Sequence, residues 1–434
     1  MKMRLAQLLP WLGLWLFILV PRILNLQNGV PGEPIGEMER TAACFVNNGY
    51  FGDPYRPDVT TGPSAHIAPG YAAFLALIYT QFGTGTTGHN VQAVCSIFIM
   101  GIAISLLVPL GKKLFHSAWV GWMAAIAMSL LPLSINFLQV LGQWDQHISL
   151  LIAHLYLLLM LELHESQWQS WRKTLLFGIF TGGIILVNPQ FALVAALFGI
   201  LEIAIQRHRR NTIVKLAIAA ILAILMITPW TLRNHRELGA WYFIRSNAGL
   251  EMWLGNRDEA NGFSHFTSDD DIHSPFRQLH PLYSDVTFAK YVTFGEKKFM
   301  HDRRAEAEEW IRTHPERFAE LCLIRAGLFW FPPPRMWSAN KAGRFTPELR
   351  SIMYCTINTF AIFGWLLLFR QAWRKAFIVA TCLIGLSLAY YMLHVEIRYL
   401  FPLHGICVLL ACSVVFSIAA RLMPRRSSPD RVTT

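Results

Sequence analysis

The sequence predicts an all-α polytopic membrane protein of about ten spans, on three observations. Of its 434 residues 54% are hydrophobic and only 15% charged, against about a quarter charged in a soluble chain. Apolar runs such as "LLIAHLYLLLMLEL" and "CVLLACSVVFSIAA" recur along it, as parts of longer apolar stretches that could cross a bilayer as helix. Lys and Arg cluster in alternate loops, the pattern of cytoplasmic connections. The net charge of +11 follows from those loops. No basic tract with interleaved aromatics marks a nucleic-acid surface, so a nucleic-acid partner is excluded.

The first element, "MKMRLAQLLPWLGLWLFILVPRIL", has a basic start and an apolar core but no small-x-small cleavage site. It reads as an uncleaved span. Further spans are expected near 90–110, 118–135, 146–163, 174–188, 190–206, 213–230, 351–370, 376–393 and 399–420. The stretch 67–82, opening "APGY", is short for a crossing and could lie in the interface. Charge parity decides its reading. If it does not cross, the loops holding Lys112/Lys113, Arg172/Lys173, Arg207/Arg209/Arg210 and Arg370/Arg374/Lys375 share one side with both termini. Basic residues then divide about seventeen to four between the two faces. If 67–82 crosses, the basic loops face outward.

The chain thus divides into a transmembrane core at 1–230, an extracytoplasmic segment at 231–350, C-terminal spans at 351–420 and a basic cytoplasmic tail at 421–434. The first outer loop, 26–89, lies outside together with 231–350. The segment 231–350 reads as a small α/β domain: "AWYFIR" has strand composition, 285–314 has a helical pattern, and Pro315 starts a second helix. Glu306, Glu308 and Glu309 fall on a solvated face. The seven cysteines form no CxxC pair; Cys44 and Cys322 both lie outside and could pair, which the spacing does not decide. No internal repeat is visible, which argues against an inverted-repeat transporter.

Ionisable groups collect at the outer surface. Glu33, Glu37 and Glu39 follow the first span; Glu37 and Glu39, two apart, diverge on a helix, so one of them can face a given site. They suit either a capped, solvated interfacial helix or a carboxylate base that takes a proton from an attacking hydroxyl or amine. Asp145 opens the fourth span within "LGQWDQH", as a helix cap or a site acid. His147 and His154 share a face, which fits a packed polar contact better than a metal site. No HExxH is present, and "SDDD" lacks calcium-loop spacing. Arg22, Arg233 and Arg398 sit near the outer interface, as snorkelling anchors or as ligands of a lipid-borne phosphate.

Three stretches carry a resemblance. "GEMERTAACFVNNGYFGDPY", running on to "GPSAHIAPGYAAFLALIY", resembles the first extracytoplasmic loop of bacterial GT-C glycosyltransferases, the family 39-like relatives of protein O-mannosyltransferases and lipid A aminoarabinose transferases. "TPWTLRNHRELGAWYFIRSNAGLEMWLGN" resembles the segment after their core helices, and "EIRYLFPLHGICVLLA" their final Arg-Tyr span. The resemblance covers about 8 to 420 and implies a GT-C fold with interfacial helices in the first loop.

It also implies transfer of a sugar, with inversion, from a polyprenyl-phosphate donor to a lipid, glycan or protein acceptor at the outer face of a bacterial cytoplasmic membrane. Matching "EMERTA" to the family's acid-bearing stretch assigns the base to Glu37 or Glu39, or to Glu33. The position three residues before Glu37, often aspartate in relatives, is Pro34. His66 is implied to contact donor phosphate or sugar, Asp145 to match the acid of the fourth span, and Arg398 and Tyr399 the final-span pair, with Arg398 on the phosphate. "VNPQ" has Asn188 where relatives carry Arg or Lys, so donor binding would lean on Arg233 and Arg398. The two named branches imply no metal and no cofactor, whereas oligosaccharyltransferase relatives do use a metal. The alternative is a transporter or lipid-linked sugar flippase, which requires ionisable groups near mid-span.

Overall fold

A computed structural model describes residues 2–24, 36–56, 58–131, 144–263, 278–337 and 346–422. Glu33, Pro34, most of the turn at 136–146, the "SDDDIHSP" stretch and the basic tail lie outside these residues. The described chain is helical, with α1 (Lys2–Leu24), α2 (Glu37–Asn48), α3 (Pro69–Phe82), α4 (Thr86–Ser105), α5 (Leu107–Phe115), α6 (Ala118–Leu130), α7 (Gln146–Glu165), α8 (Trp171–Val187), α9 (Phe191–Ile205) and α10 (Arg209–Leu238). There follow α11 (Ala248–Gly255), α12 (Asp285–Thr313), α13 (Pro315–Trp330), α14 (Pro347–Gly385), α15 (Leu388–Met392) and α16 (Phe401–Leu422).

Five helical stretches are long and apolar enough to cross a membrane: Thr86–Phe115, Gln146–Glu165, Arg209–Leu238, Pro347–Met392 and Ile397–Leu422. Three shorter apolar helices accompany them, at Leu9–Leu24, Ala118–Leu130 and Phe191–Ile205. Where apolar solvent surrounds helices, close backbone approach replaces the hydrophobic effect as the source of packing. Gly178 and Gly182 of α8 supply it: a Cβ on either would lie within 3 Å of the α10 backbone at Ala219 or Ala223. The stretch expected to hold two spans, around 351–393, is helical with a break at Ala372 (φ −153°, ψ 69°). Trp365 Nε1 donates to the Ala376 carbonyl at 2.9 Å, where a straight helix would hold the two about 16 Å apart; the chain folds back here.

Three basic loops that parity puts on one side meet at one end of the bundle. Lys113 and Lys375 both pair with Glu165 (2.5 and 3.1 Å), and Lys173 pairs with Glu162 at 2.7 Å. These acids end α7, whereas Asp145 begins it, so Asp145 lies at the opposite end, about 30 Å away along the axis.

The 231–350 segment differs from expectation. Among the described residues it contains no strand, and isolated bridges join only Gly52 to Pro63 and Phe263 to Val395. "AWYFIR" is irregular because α10 side chains take the backbone groups that a ladder would use. Trp230 Nε1 donates to the Ile244 carbonyl (2.8 Å), Thr231 Oγ1 to that of Phe243 (2.9 Å) and Asn234 Nδ2 to that of Tyr242 (2.9 Å). The β-rich composition yields to this tertiary pinning. The helix expected at 285–314 forms as α12, capped by Ser284 and interrupted at Gly295 (φ +72°). Glu306, Glu308 and Glu309 pair with Arg303, Arg304 and Arg312 on its exposed face. Cys44 and Cys322 are both free.

Candidate functional site

At the Asp145 end of the bundle a cavity of about 1090 Å³ opens, within the range of small-molecule sites or somewhat above it. Its wall draws on the start of α2, the start of α7, the α8–α9 turn, the pinned loop 240–249, α12 and the start of the last span. Four of the expected site residues line it: Glu37, Asp145, Arg398 and Tyr399. Glu39, His66 and Arg233 do not.

Glu37 is the first residue of α2, and Glu39 completes the helix start. A Glu39 oxygen accepts from the Gly36 amide at 2.9 Å and the other from Gln92 Nε2 at 2.7 Å. Glu39 is thus committed to the helix cap and to α4, on the side away from the cavity. Glu37 points the other way, as the two-residue spacing requires. Its Oε2 lies 3.4 Å from His66 Nε2 and its Oε1 3.7 Å from His280 Nε2. Oε1 accepts no hydrogen bond in this buried position. Burial disfavours the charged form, but His66, His280 and Arg245 outweigh it and hold the carboxyl at about 2. Glu37 is therefore ionised throughout the physiological range.

Asp145 accepts from Ser149 Oγ at 2.7 Å and from Asn188 Nδ2 at 3.3 Å. Its carboxylate makes no cap bond to its own helix. Burial raises its pKa, opposed by Ser149, Arg245 and Arg398. Asn188 of "VNPQ" thus spends its amide on Asp145. Arg398 lies with its guanidinium carbon 3.8 Å from the centre of the Trp144 ring and pairs with Glu396 at 2.5 Å. Tyr399 stacks on Tyr390 at 3.9 Å and hydrogen-bonds His394 at 3.1 Å. An aromatic floor therefore adjoins a planar cation, an arrangement that accepts the apolar face of a sugar next to an oxyanion.

Arg233 lies elsewhere. It donates to the Ser64 and Phe51 carbonyls, both at 2.8 Å, and so fastens the loop after α2 to α10. His66 is almost fully buried behind Glu37. Two residues escaped the sequence reading. Arg245, at the end of the supposed strand, lines the cavity and donates from Nε to the His66 carbonyl at 3.0 Å. His280 sits in a turn-rich stretch and reaches Glu37 through the fold alone. The one available hint was Arg245 itself, a lone cation ending the aromatic run "WYFIR" just after a span. Among the described residues no three His, Cys, Asp or Glu side chains group to hold a metal ion.

No family model matches the chain, and no curated protein matches it. Solved structures do. The oligosaccharyltransferase of Archaeoglobus fulgidus, in complex with Zn and sulfate, superposes with a TM-score of 0.57 at 14% identity, over 95% of this chain and 49% of its own. An oligosaccharyltransferase of the same organism, AglB, in complex with an inhibitory peptide and a dolichol-phosphate gives 0.54 at 15% identity, over 98% and 52%. ArnT from Cupriavidus metallidurans, bound to undecaprenyl phosphate, aligns over 98% of this chain and 81% of its own at 13% identity, but its TM-score of 0.40 is too low to argue from. The chain spans about half the length of the archaeal enzymes, and at these identities the likeness is one of fold. That fold is the GT-C fold anticipated from the three sequence stretches.

Proposed function

We propose that the chain is an inverting glycosyltransferase that takes a sugar from a polyprenyl-phosphate donor at the outer face of a bacterial cytoplasmic membrane. One observation carries the reading: a buried, ionised carboxylate, Glu37, faces a cavity that also holds Arg245 and Arg398. Glu37 takes the proton of the acceptor hydroxyl or amine as that group attacks the anomeric carbon. The bond from that carbon to the phosphate oxygen breaks, and the polyprenyl phosphate leaves with both electrons. Arg398, held over Trp144, and Arg245 stabilise the charge on the departing phosphate. Tyr390 and Tyr399 support the sugar face, and the loop 240–249 with α12 walls the acceptor side. In this reading the chain makes about ten spans with both termini cytoplasmic and the cavity lies outside, which the convergence of basic loops on the opposite end of the bundle supports.

The test is a deletion strain complemented by wild type or Glu37→Gln. Loss of one envelope glycan with accumulation of its lipid-linked donor, reversed by wild type alone, supports the reading. Full reversal by Glu37→Gln removes the base. A flippase would instead leave the donor on the cytoplasmic leaflet, a difference read by its accessibility to an impermeant periodate probe.

A further inference from the structure

Glu37 is flanked by two imidazoles, and each presents its Nε2 to a different carboxylate oxygen, at 3.4 and 3.7 Å, as an electrostatic contact rather than a formed hydrogen bond. What each ring presents there is set by its other nitrogen. His280 Nδ1 accepts the Leu282 amide hydrogen at 3.1 Å. A backbone amide can only donate, so the ring proton of His280 resides on Nε2, facing Glu37. His66 Nδ1 lies 3.1 Å from the Tyr55 hydroxyl. If Tyr55 donates, the ring of His66 carries its proton on Nε2; if His66 is cationic, both nitrogens carry one. The remaining tautomer would set a bare nitrogen lone pair against the carboxylate, which is repulsive. Burial and nearby acids push the Tyr55 hydroxyl well above its ordinary pKa, so it stays protonated and able to donate.

We infer that His66 and His280 form a two-sided N–H clamp that aims Glu37 into the cavity, with Tyr55 and the Leu282 amide setting the direction of each ring. The inference rests on the proposed glycosyltransferase reading for its purpose but not for its geometry. It gives His66 a positioning role in place of the donor contact that the resemblance implies, consistent with its position outside the cavity wall. It also gives the 231–350 segment a part in the site, since His280 arrives from there and fixes an acid of the first loop. Arg245, the third group facing Glu37, ties the same parts together through the His66 carbonyl.

The experiment labels the purified full chain in detergent with dicyclohexylcarbodiimide, which modifies protonated carboxyls, and reads the Glu37 peptide by mass spectrometry. Wild type should label weakly at pH 6. In the double variant His66→Phe/His280→Phe the protonated fraction should rise about tenfold or more, since a pKa higher by one means a tenfold larger fraction. His66→Gln/His280→Gln, which keeps an amide N–H near each Nε2 position, should return labelling toward wild type. Equal Glu37 labelling in wild type and the phenylalanine variant, or no recovery with glutamine, overturns the clamp. Should the double variant elute as aggregate, Tyr55→Phe decides: increased labelling supports the relay and unchanged labelling overturns it.

Binding of undecaprenyl phosphate separates the two readings. With His66→Gln the affinity should stay within about twofold, because a group outside the wall makes no contact with the phosphate; a tenfold loss makes His66 a donor ligand and overturns the positioning role. No binding to wild type would sink the glycosyltransferase reading, while the labelling pattern would still decide the clamp.

Discussion

Arg398 lies over Trp144, its guanidinium carbon 3.8 Å from the ring centre. The two come from opposite parts of the chain, Trp144 just before α7 and Arg398 just before α16. The ring covers one face of the guanidinium and Glu396 pairs with its Nε at 2.5 Å, so a phosphate would be met by the terminal nitrogens. Arg398→Lys preserves charge but loses both the planar stack and the fork. Affinity for undecaprenyl phosphate should fall about tenfold to a hundredfold, measured by titration in detergent, for a loss of about 1.5–3 kcal/mol.

The two acids of α2 should separate cleanly in mutants. Glu37→Gln should lower the rate of sugar transfer in membranes by about a hundredfold to ten-thousandfold, the range of a general base. Glu39→Ala should leave turnover per folded molecule near wild type but cost about 1–3 kcal/mol of stability, because Gln92 loses a buried acceptor and the helix its cap. A thermal shift without a turnover change is the expected signature.

Arg233→Ala tests the clip between α10 and the first loop. Removing two charge-assisted bonds to the Ser64 and Phe51 carbonyls should destabilise the protein by about 2–5 kcal/mol. Donor affinity in the fraction that stays folded should be unchanged, which thermal unfolding and undecaprenyl phosphate titration together would read.

Arg245→Gln should weaken undecaprenyl phosphate binding by about tenfold while leaving the fold intact, since an amide can still reach the His66 carbonyl. Unchanged affinity would remove Arg245 from the phosphate site.

Glu37 also sets a pH dependence. Its carboxyl is depressed to about 2 in the folded chain, against about 4.3 when unfolded. The folded state thus binds the proton less readily, so the stabilisation is fully present above the unfolded value. It is lost as pH falls from about 4.3 through about 2. Wild type should lose stability across that window more steeply than Glu37→Gln, followed by thermal unfolding at stepped pH.

The sequence exposes some of these features and conceals others. Apolar runs and alternating basic loops are local signals, and the helices and the meeting of Lys113, Lys173 and Lys375 with the α7 acids accord with them. The divergence of Glu37 and Glu39 follows from helical spacing alone. "AWYFIR" misleads because its strand composition is local, while the α10 side chains that capture its carbonyls are a tertiary effect. His66 and Arg233 look alike to a sequence reader, as polar groups near an outer surface; only the packing turns one behind Glu37 and the other onto loop carbonyls. Arg245 and His280 carry no spacing motif, since their partners lie far away in the chain.

The cavity draws Glu37 from the start of α2 and Arg398 from just before α16. A ribosome adding about 5–20 residues per second takes tens of seconds to pass from one to the other. Throughout that interval the nascent chain holds its acid without the cation that would complete the chamber. If the proposed site is right, a partly inserted chain lacks it, and competence would appear only when the final helix docks, so that activity would itself certify completed assembly.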